Sequence, residues 1–124
     1  MNTTNFQDTA QLFANSIATF LRQDEEFRAK WRYKNLQESL KIPRREALKN
    51  ARAWADLTSE HLQAQETPDT LERWTGNMWQ AWEAFLAARD AHMDKKAPET
   101  LKELKETEVN LKAQIRGVNA LLAT

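Results

Sequence analysis

Residues that commonly carry catalytic chemistry are few in this sequence. Neither histidine, His61 or His92, follows a carboxylate by three residues, so the Glu-x-x-His spacing of di-metal helical bundles is missing. There is no cysteine, which excludes thiolate metal sites, cysteine nucleophiles and disulfide bonds. Gly76 and Gly117 stand alone, so no glycine-rich phosphate loop is present. We therefore predict a protein that is not an enzyme, with no catalytic, metal-binding or cofactor-binding residues.

Charged residues are distributed unevenly, although 18 Lys and Arg balance 18 Asp and Glu. Residues 28–52 contain nine basic and two acidic residues, a net charge of +7, whereas residues 53–83 have a net charge of −5. Basic surfaces bind phosphate backbones, and a neighbouring aromatic ring can stack on an exposed base. The candidate residues for contact with nucleic acid or an acidic partner are Lys30, Trp31, Lys34, Lys41, Arg45, Lys49 and Arg52.

Helical geometry predicts how these residues are presented. At 100° per residue, Lys30, Lys34 and Lys41 share one face of a second predicted helix. Arg45, Lys49 and Arg52 share one face of a third. Trp31 then lies near Lys34 on the second helix. An ordinary solvated surface explains the same charges, and the acidic stretch would cancel part of their field if it packed beside them.

Five tryptophans are many for a chain of 124 residues. Tryptophan is seldom fully buried, and its N–H group needs a hydrogen-bond partner. One interpretation places Trp31, Trp74 and Trp82 in the core of a helical bundle, whereas an accessible Trp31 would belong to the basic surface. A bundle of this size is too small to enclose all five tryptophans. Because tryptophan is enriched at binding hot spots, Trp54 and Trp79 are candidate residues for a partner interface.

The last predicted helix carries apolar residues every three or four positions from Leu101 to Leu122, which is typical of a coiled-coil seam. Glu108 lies inside this seam. A buried charge there can fix register or partner number, so Glu108 is a third candidate interface residue. Alternatively, it reaches solvent and pairs with Lys112. We favour packing of the seam on the preceding helix of the same chain, while homo-oligomerisation through another surface stays open.

One face of the first predicted helix has no charge, which is unusual for a solvated face. Either a partner or the neighbouring helices of the chain cover it, and we favour the neighbouring helices. The polar residues of this face are Gln11, Asn15, Ser16 and Thr19.

Helical periodicity runs along almost the whole chain, and the alternation typical of strands is absent. Thr4 and Gln7 form a predicted capping box for a first helix of roughly 18 residues. Asp24 is expected to cap a second helix that ends near Pro43, where a third begins and continues to Gln65. In the second helix, Phe27 and Trp31 share one apolar stripe, and Tyr33, Leu36 and Leu40 form another about half a turn away. This helix therefore either lies between two neighbouring helices or kinks near residue 32. Thr67-Pro68-Asp69 predicts the start of a fourth helix over about residues 68–93, with Thr67 as the cap residue. Ala97-Pro98-Glu99 predicts the start of a fifth helix.

The predicted fold is therefore all-α. We expect residues 1–124 to form a single domain, a compact bundle of four to five helices. Most of the helices should be antiparallel, because the connections are short, and the C-terminal helix is long and heptad-patterned.

These features predict a non-enzymatic protein-interaction module, such as an adaptor, inhibitor or assembly subunit, that acts through an aromatic-rich helical surface. The alternative is a small helical RNA- or DNA-binding subunit that uses residues 28–52. No cofactor is expected.

The first 21 residues carry one charge, Asp8, and no basic stretch, so no secretory signal is expected. The longest uncharged stretch, Thr9–Leu21, is too short and polar to span a bilayer. We expect a cytoplasmic protein with no membrane partner.

Overall fold

The computed structural model describes residues 6–124, which form helices connected by short turns and contain no strand. The predicted all-α class is confirmed, as are the number of helices and the long C-terminal helix. Thr4, the predicted cap of the first helix, lies outside the described residues. The helices are α1 (Phe6–Ala29), α2 (Lys34–Ser39), α3 (Lys41–Gln63), α4 (Thr70–Asp94) and α5 (Pro98–Leu122).

The chain divides into two compact units, the first ending at Glu60 and the second spanning His61–Thr124. The boundary falls in the last turn of α3. Whether the 124 residues behave as one domain stays a prediction.

The predicted boundary between a first and a second helix at Asp24 is wrong, because α1 continues to Ala29. The Asp24 carboxylate does not cap a helix. Instead, its Oδ2 atom accepts a hydrogen bond from Arg28 Nε at 3.1 Å, four residues further along the same helix. Such a pair supports continued helix rather than a break. The apolar stripe of α1 is buried as the spacing predicts, at Ala10, Phe13, Ile17 and Phe20.

The chain turns at residues 30–32, ahead of the short helix α2, where the sequence was assigned to one continuous second helix. A second break, at Leu40, lies close to the boundary predicted near Pro43. Pro43 is the third residue of α3. Because backbone N–H groups in the first turn have no intrahelical partner, a proline there removes no hydrogen bond. α2 contains no buried residue, and Leu40 separates it from α3.

Helices α4 and α5 pack as an antiparallel hairpin within the second unit. At the connected end, His92 Nδ1 lies 2.8 Å from Thr100 Oγ1. At the opposite end, Trp74 of α4 covers Gly117 of α5. α4 begins with a capping box in which Asp69, rather than the expected Thr67, is the N-cap residue.

The heptad seam of α5 is buried in its C-terminal half only. Leu111, Ile115 and Val118 are buried, whereas Leu101 is 39% exposed. In α4, Trp82 is fully buried, as expected. The predicted core positions of Trp31 and Trp74 are wrong, since these side chains are 59% and 41% exposed.

Candidate functional site

The most unusual surface of the described chain is the turn between α1 and α2. Residues 30–34, which we call the basic–aromatic turn, read Lys-Trp-Arg-Tyr-Lys, so cations and rings alternate. Trp31 is 59% exposed and Tyr33 is 61% exposed. Single exposed apolar residues are ordinary on protein surfaces. Here, however, four of the ten large exposed hydrophobic residues of residues 6–124 fall within 31–42, the other two being Leu36 and Ile42.

Hydrogen bonds to neighbouring helices hold the basic–aromatic turn in place. The Tyr33 N–H group donates to the Lys30 carbonyl at 2.9 Å, and the Gln37 N–H group donates to the Tyr33 carbonyl at 2.9 Å. Gln37 Nε2 also donates to the carbonyl of Phe27 at 3.1 Å, near the C-terminal end of α1, and the same carbonyl accepts a hydrogen bond from the Lys30 N–H group at 3.2 Å. The turn is therefore anchored to both helices that it connects.

A buried carboxylate attaches the start of α3 to the end of α1. Arg44 Nη1 donates to Asp24 Oδ1 at 3.3 Å, and Asp24 is 5% exposed. The Arg44 guanidinium carbon also lies 3.7 Å from the centre of the Phe27 ring. Because both ends of the intervening segment are attached, residues 30–40 are held as an ordered connection.

Most cations of the basic segment have no acidic partner. Arg28 and Arg44 bind Asp24, and Lys41 binds Glu38 at 3.0 Å. The Arg32 guanidinium carbon lies 4.8 Å from the centre of the Trp31 ring. None of the ion pairs found among residues 6–124 includes the remaining cations, which are Lys30, Arg32, Lys34, Arg45, Lys49 and Arg52.

The predicted arrangement of the basic residues is partly wrong. Lys30 lies in the turn, Lys34 is the first residue of α2, and Lys41 is the first residue of α3, so they do not share one helix face. Trp31 also lies in the turn rather than on a helix with Lys34. These errors have one cause, because the assignment of a shared face continued the helical period through residues 30–33, where the chain turns. The alternative prediction of a kink near residue 32 falls at this turn.

The second predicted basic face does lie on one helix. Arg45, Lys49 and Arg52 are exposed on α3 at spacings of four and three residues, which places them on one side. Sequence reasoning missed Arg32, and it assigned Tyr33 to an apolar helix stripe. The strict alternation of cations and aromatic rings was the signal that could have identified both.

The other candidate interface residues are less accessible. Trp54 and Trp79 are half-buried. Glu108 has a side chain that is 19% exposed, and its Oε2 atom lies 3.1 Å from Lys112 Nζ, as the alternative interpretation predicts. These residues therefore present less free surface than Trp31 does.

The uncharged face of α1 is partly explained by hydrogen bonds within the helix. The Ser16 hydroxyl donates to the carbonyl of Phe13 at 2.8 Å, and the Thr19 hydroxyl donates to that of Asn15 at 2.9 Å. Ser16 is buried, whereas Gln11 and Asn15 are exposed. Two of these polar side chains thus use backbone acceptors of their own helix.

Both histidines take part in helix-end contacts. His61 Nε2 lies 2.7 Å from Glu72 Oε2, and Glu72 Oε1 accepts a hydrogen bond from the Asp69 N–H group at 3.0 Å. His92 contacts Thr100 where α4 leads into α5. Within residues 6–124, no three His, Asp or Glu side chains are grouped so that they could hold a metal ion. In the same range, no helix combines the length and apolar character needed to cross a membrane.

Comparisons with known protein-family models, with curated protein sequences and with solved structures find no match to this chain.

Proposed function

We propose that the protein is a non-enzymatic interaction module that binds an anionic macromolecule through the basic–aromatic turn and the adjoining cations of α3. The observation that carries this proposal is the exposure of Trp31 and Tyr33 between three cations. Large aromatic side chains contribute most to binding when a partner covers them, because they bury much apolar area with few rotatable bonds.

The anchoring of this turn supports a role in binding. A flexible segment loses conformational entropy when a partner orders it, and this loss weakens the complex. Here Gln37 and Arg44 already connect the flanking helices, so less ordering remains. The unpaired cations add long-range attraction for a negatively charged partner and accelerate its encounter.

Two classes of partner have these properties. An acidic protein surface would cover the rings together with Leu36 and Ile42, which are 53% and 66% exposed. Such a partner corresponds to an adaptor, inhibitor or assembly subunit. Nucleic acid would contact the rings and the cations, and its affinity would depend less on Leu36 and Ile42. An interface centred on Trp54, Trp79 and Glu108 has weaker support, because these side chains are largely covered.

Chromatography on heparin, a polyanion, tests the binding surface. In one variant, Lys30→Glu is combined with Lys34→Glu. The matched control combines Lys95→Glu with Lys96→Glu, which makes the same change in charge at the exposed turn between α4 and α5. We expect the first variant to elute at a clearly lower salt concentration than wild type and the control to elute close to wild type. Equal shifts for both variants would show that only net charge matters and would contradict the proposal.

A further inference from the structure

We infer that the anionic partner of the basic–aromatic turn is single-stranded nucleic acid, with bases stacked on Trp31 and Tyr33. This inference rests on the proposed function and names its ligand. Proteins that bind single strands combine cations that follow the phosphate backbone with aromatic rings on which successive bases stack. The turn contains both elements in five consecutive residues.

The spacing of the two rings suits neighbouring bases. Trp31 and Tyr33 are two residues apart, so their Cα atoms are separated by at most about 7 Å. This is about twice the ~3.4 Å step between stacked bases along one strand. Adjacent nucleotides of one strand can therefore reach both rings, while Lys30, Arg32 and Lys34 alternate with the rings to meet the phosphates.

The cations of α3 extend this surface. Arg45, Lys49 and Arg52 lie on one side of the helix over seven residues, a rise of about 10 Å. The contacts of Arg44 with Asp24 and Phe27 place the start of α3 beside the end of α1, next to the turn. A strand that stacks on the rings thus has further cations within reach for its next phosphates.

A single strand fits this surface better than a duplex does. In a duplex the bases are already stacked and paired, so exposed rings have no free base face to contact. Duplex readers usually insert a helix or a two-stranded ribbon into the major groove. The aromatic rings here lie in a turn, and α2 has only six residues.

The experiment is fluorescence anisotropy with a labelled single strand of about 15 thymidines, which is near the upper end of the usual site sizes. We expect wild type to bind the strand, with affinity falling steeply as salt rises. Trp31→Ala with Tyr33→Ala should weaken binding at least tenfold, on the order of one stacked base or more. Trp31→Phe with Tyr33→Phe should recover most of the affinity, because rings remain.

The matched control replaces two equally exposed apolar residues of the same segment, Leu36→Ser with Ile42→Ser. We expect this variant to bind the strand within about twofold of wild type, since stacking does not involve these side chains. Unchanged far-UV circular dichroism must accompany each variant, and both pairs are more than half exposed. If the aliphatic pair weakens binding as much as the ring pair does, stacking is not the mode of contact and the inference is wrong.

Two further probes separate this inference from the proposed function. If wild type binds poly-glutamate through Lys30 and Lys34 but does not bind the thymidine strand, the partner is an acidic protein. The nucleic-acid inference then fails while the proposed function stands. If a duplex of the same length binds as tightly as the strand, the rings contribute nothing and the inference is likewise overturned. If wild type binds none of these polyanions, heparin included, both proposals are wrong.

Discussion

Replacing Gly117 with alanine changes the free energy of unfolding through two opposing effects, a gain in helix propensity and a clash with Trp74. Inside a helix, alanine is more favourable than glycine by about 1 kcal/mol. A Cβ atom at position 117, however, would lie 2.8 Å from Cζ3 and 2.9 Å from Cε3 of Trp74. Contact distances between carbon atoms are about 3.5–4.0 Å, so the indole ring must move away from α5.

The cost of that movement follows from the burial of the ring. Trp74 is 41% exposed, so somewhat more than half of its surface is covered. For a tryptophan this is about 150 Å², which contributes roughly 3–4 kcal/mol at about 25 cal/mol per Å². If the displaced ring loses half of this contact, the loss is about 2 kcal/mol and exceeds the gain in helix propensity. We expect Gly117→Ala to lower the free energy of unfolding by about 1 kcal/mol.

Urea unfolding followed by far-UV circular dichroism measures this effect, and a double-mutant cycle isolates its cause. In a Trp74→Ala background the clash is absent, so Gly117→Ala should instead raise the free energy of unfolding by about 1 kcal/mol. The sign of the effect therefore reverses between the two backgrounds. If Gly117→Ala stabilises both backgrounds by the same amount, the indole ring does not restrict position 117 and the reasoning is refuted.

Three further changes test the contacts that hold the helices, each by the same unfolding assay. Asp69→Ala removes the N-cap of α4 and should lower the free energy of unfolding by about 1 kcal/mol. An unchanged midpoint of urea unfolding would show that the cap contributes nothing to stability. Asp24→Ala leaves the partly buried Arg44 without its carboxylate and should lower the free energy of unfolding by roughly 2–3 kcal/mol. Arg28→Ala, at a side chain that is 53% exposed, should lower it by less than about 1 kcal/mol. Similar losses for the two variants would argue against the buried ion pair. Leu111→Ala should lower the free energy of unfolding by about 2–5 kcal/mol, because this residue is fully buried. Val109→Ala, at a site 66% exposed, should leave the free energy of unfolding within about 0.5 kcal/mol of wild type. Equal effects would mean that the two sides of α5 are not distinguished by burial.

The sequence predicted well those features that depend on residues three or four positions apart. The apolar stripe of α1 is buried at the expected residues, and the start of α5 at Pro98 follows the Ala-Pro-Glu signal. Both depend on helical periodicity and first-turn chemistry, which act within one or two turns of the chain. The pairing of Glu108 with Lys112 was among the alternatives for the same reason, because residues four apart are neighbours on a helix.

The composition of the candidate site could be read from the sequence, but the arrangement of its residues could not. The excess of cations in residues 28–52 is a property of the sequence, and so is the presence of Trp31 among them. The shift between the two apolar stripes allowed a kink near residue 32, but the helical period can also be continued through residues 30–33. The sequence pattern therefore did not decide whether Trp31 lies in a turn or on a helix face. No proline or glycine marks this turn. Signals for a turn that lacks these residues are weak.

By itself, the sequence determined the helical class, most of the helix ends, the uneven charge and the lack of cysteine chemistry, because each depends on residue types or on short-range spacing. Only the tertiary structure decided which side chains are covered. Asp24 lies within α1, where Arg28 and the distant Arg44 bind its carboxylate, and Trp74 packs on Gly117 of α5 while 41% of its surface stays exposed. Burial depends on residues that are far apart in the chain, and a periodic pattern contains no information on which of them meet.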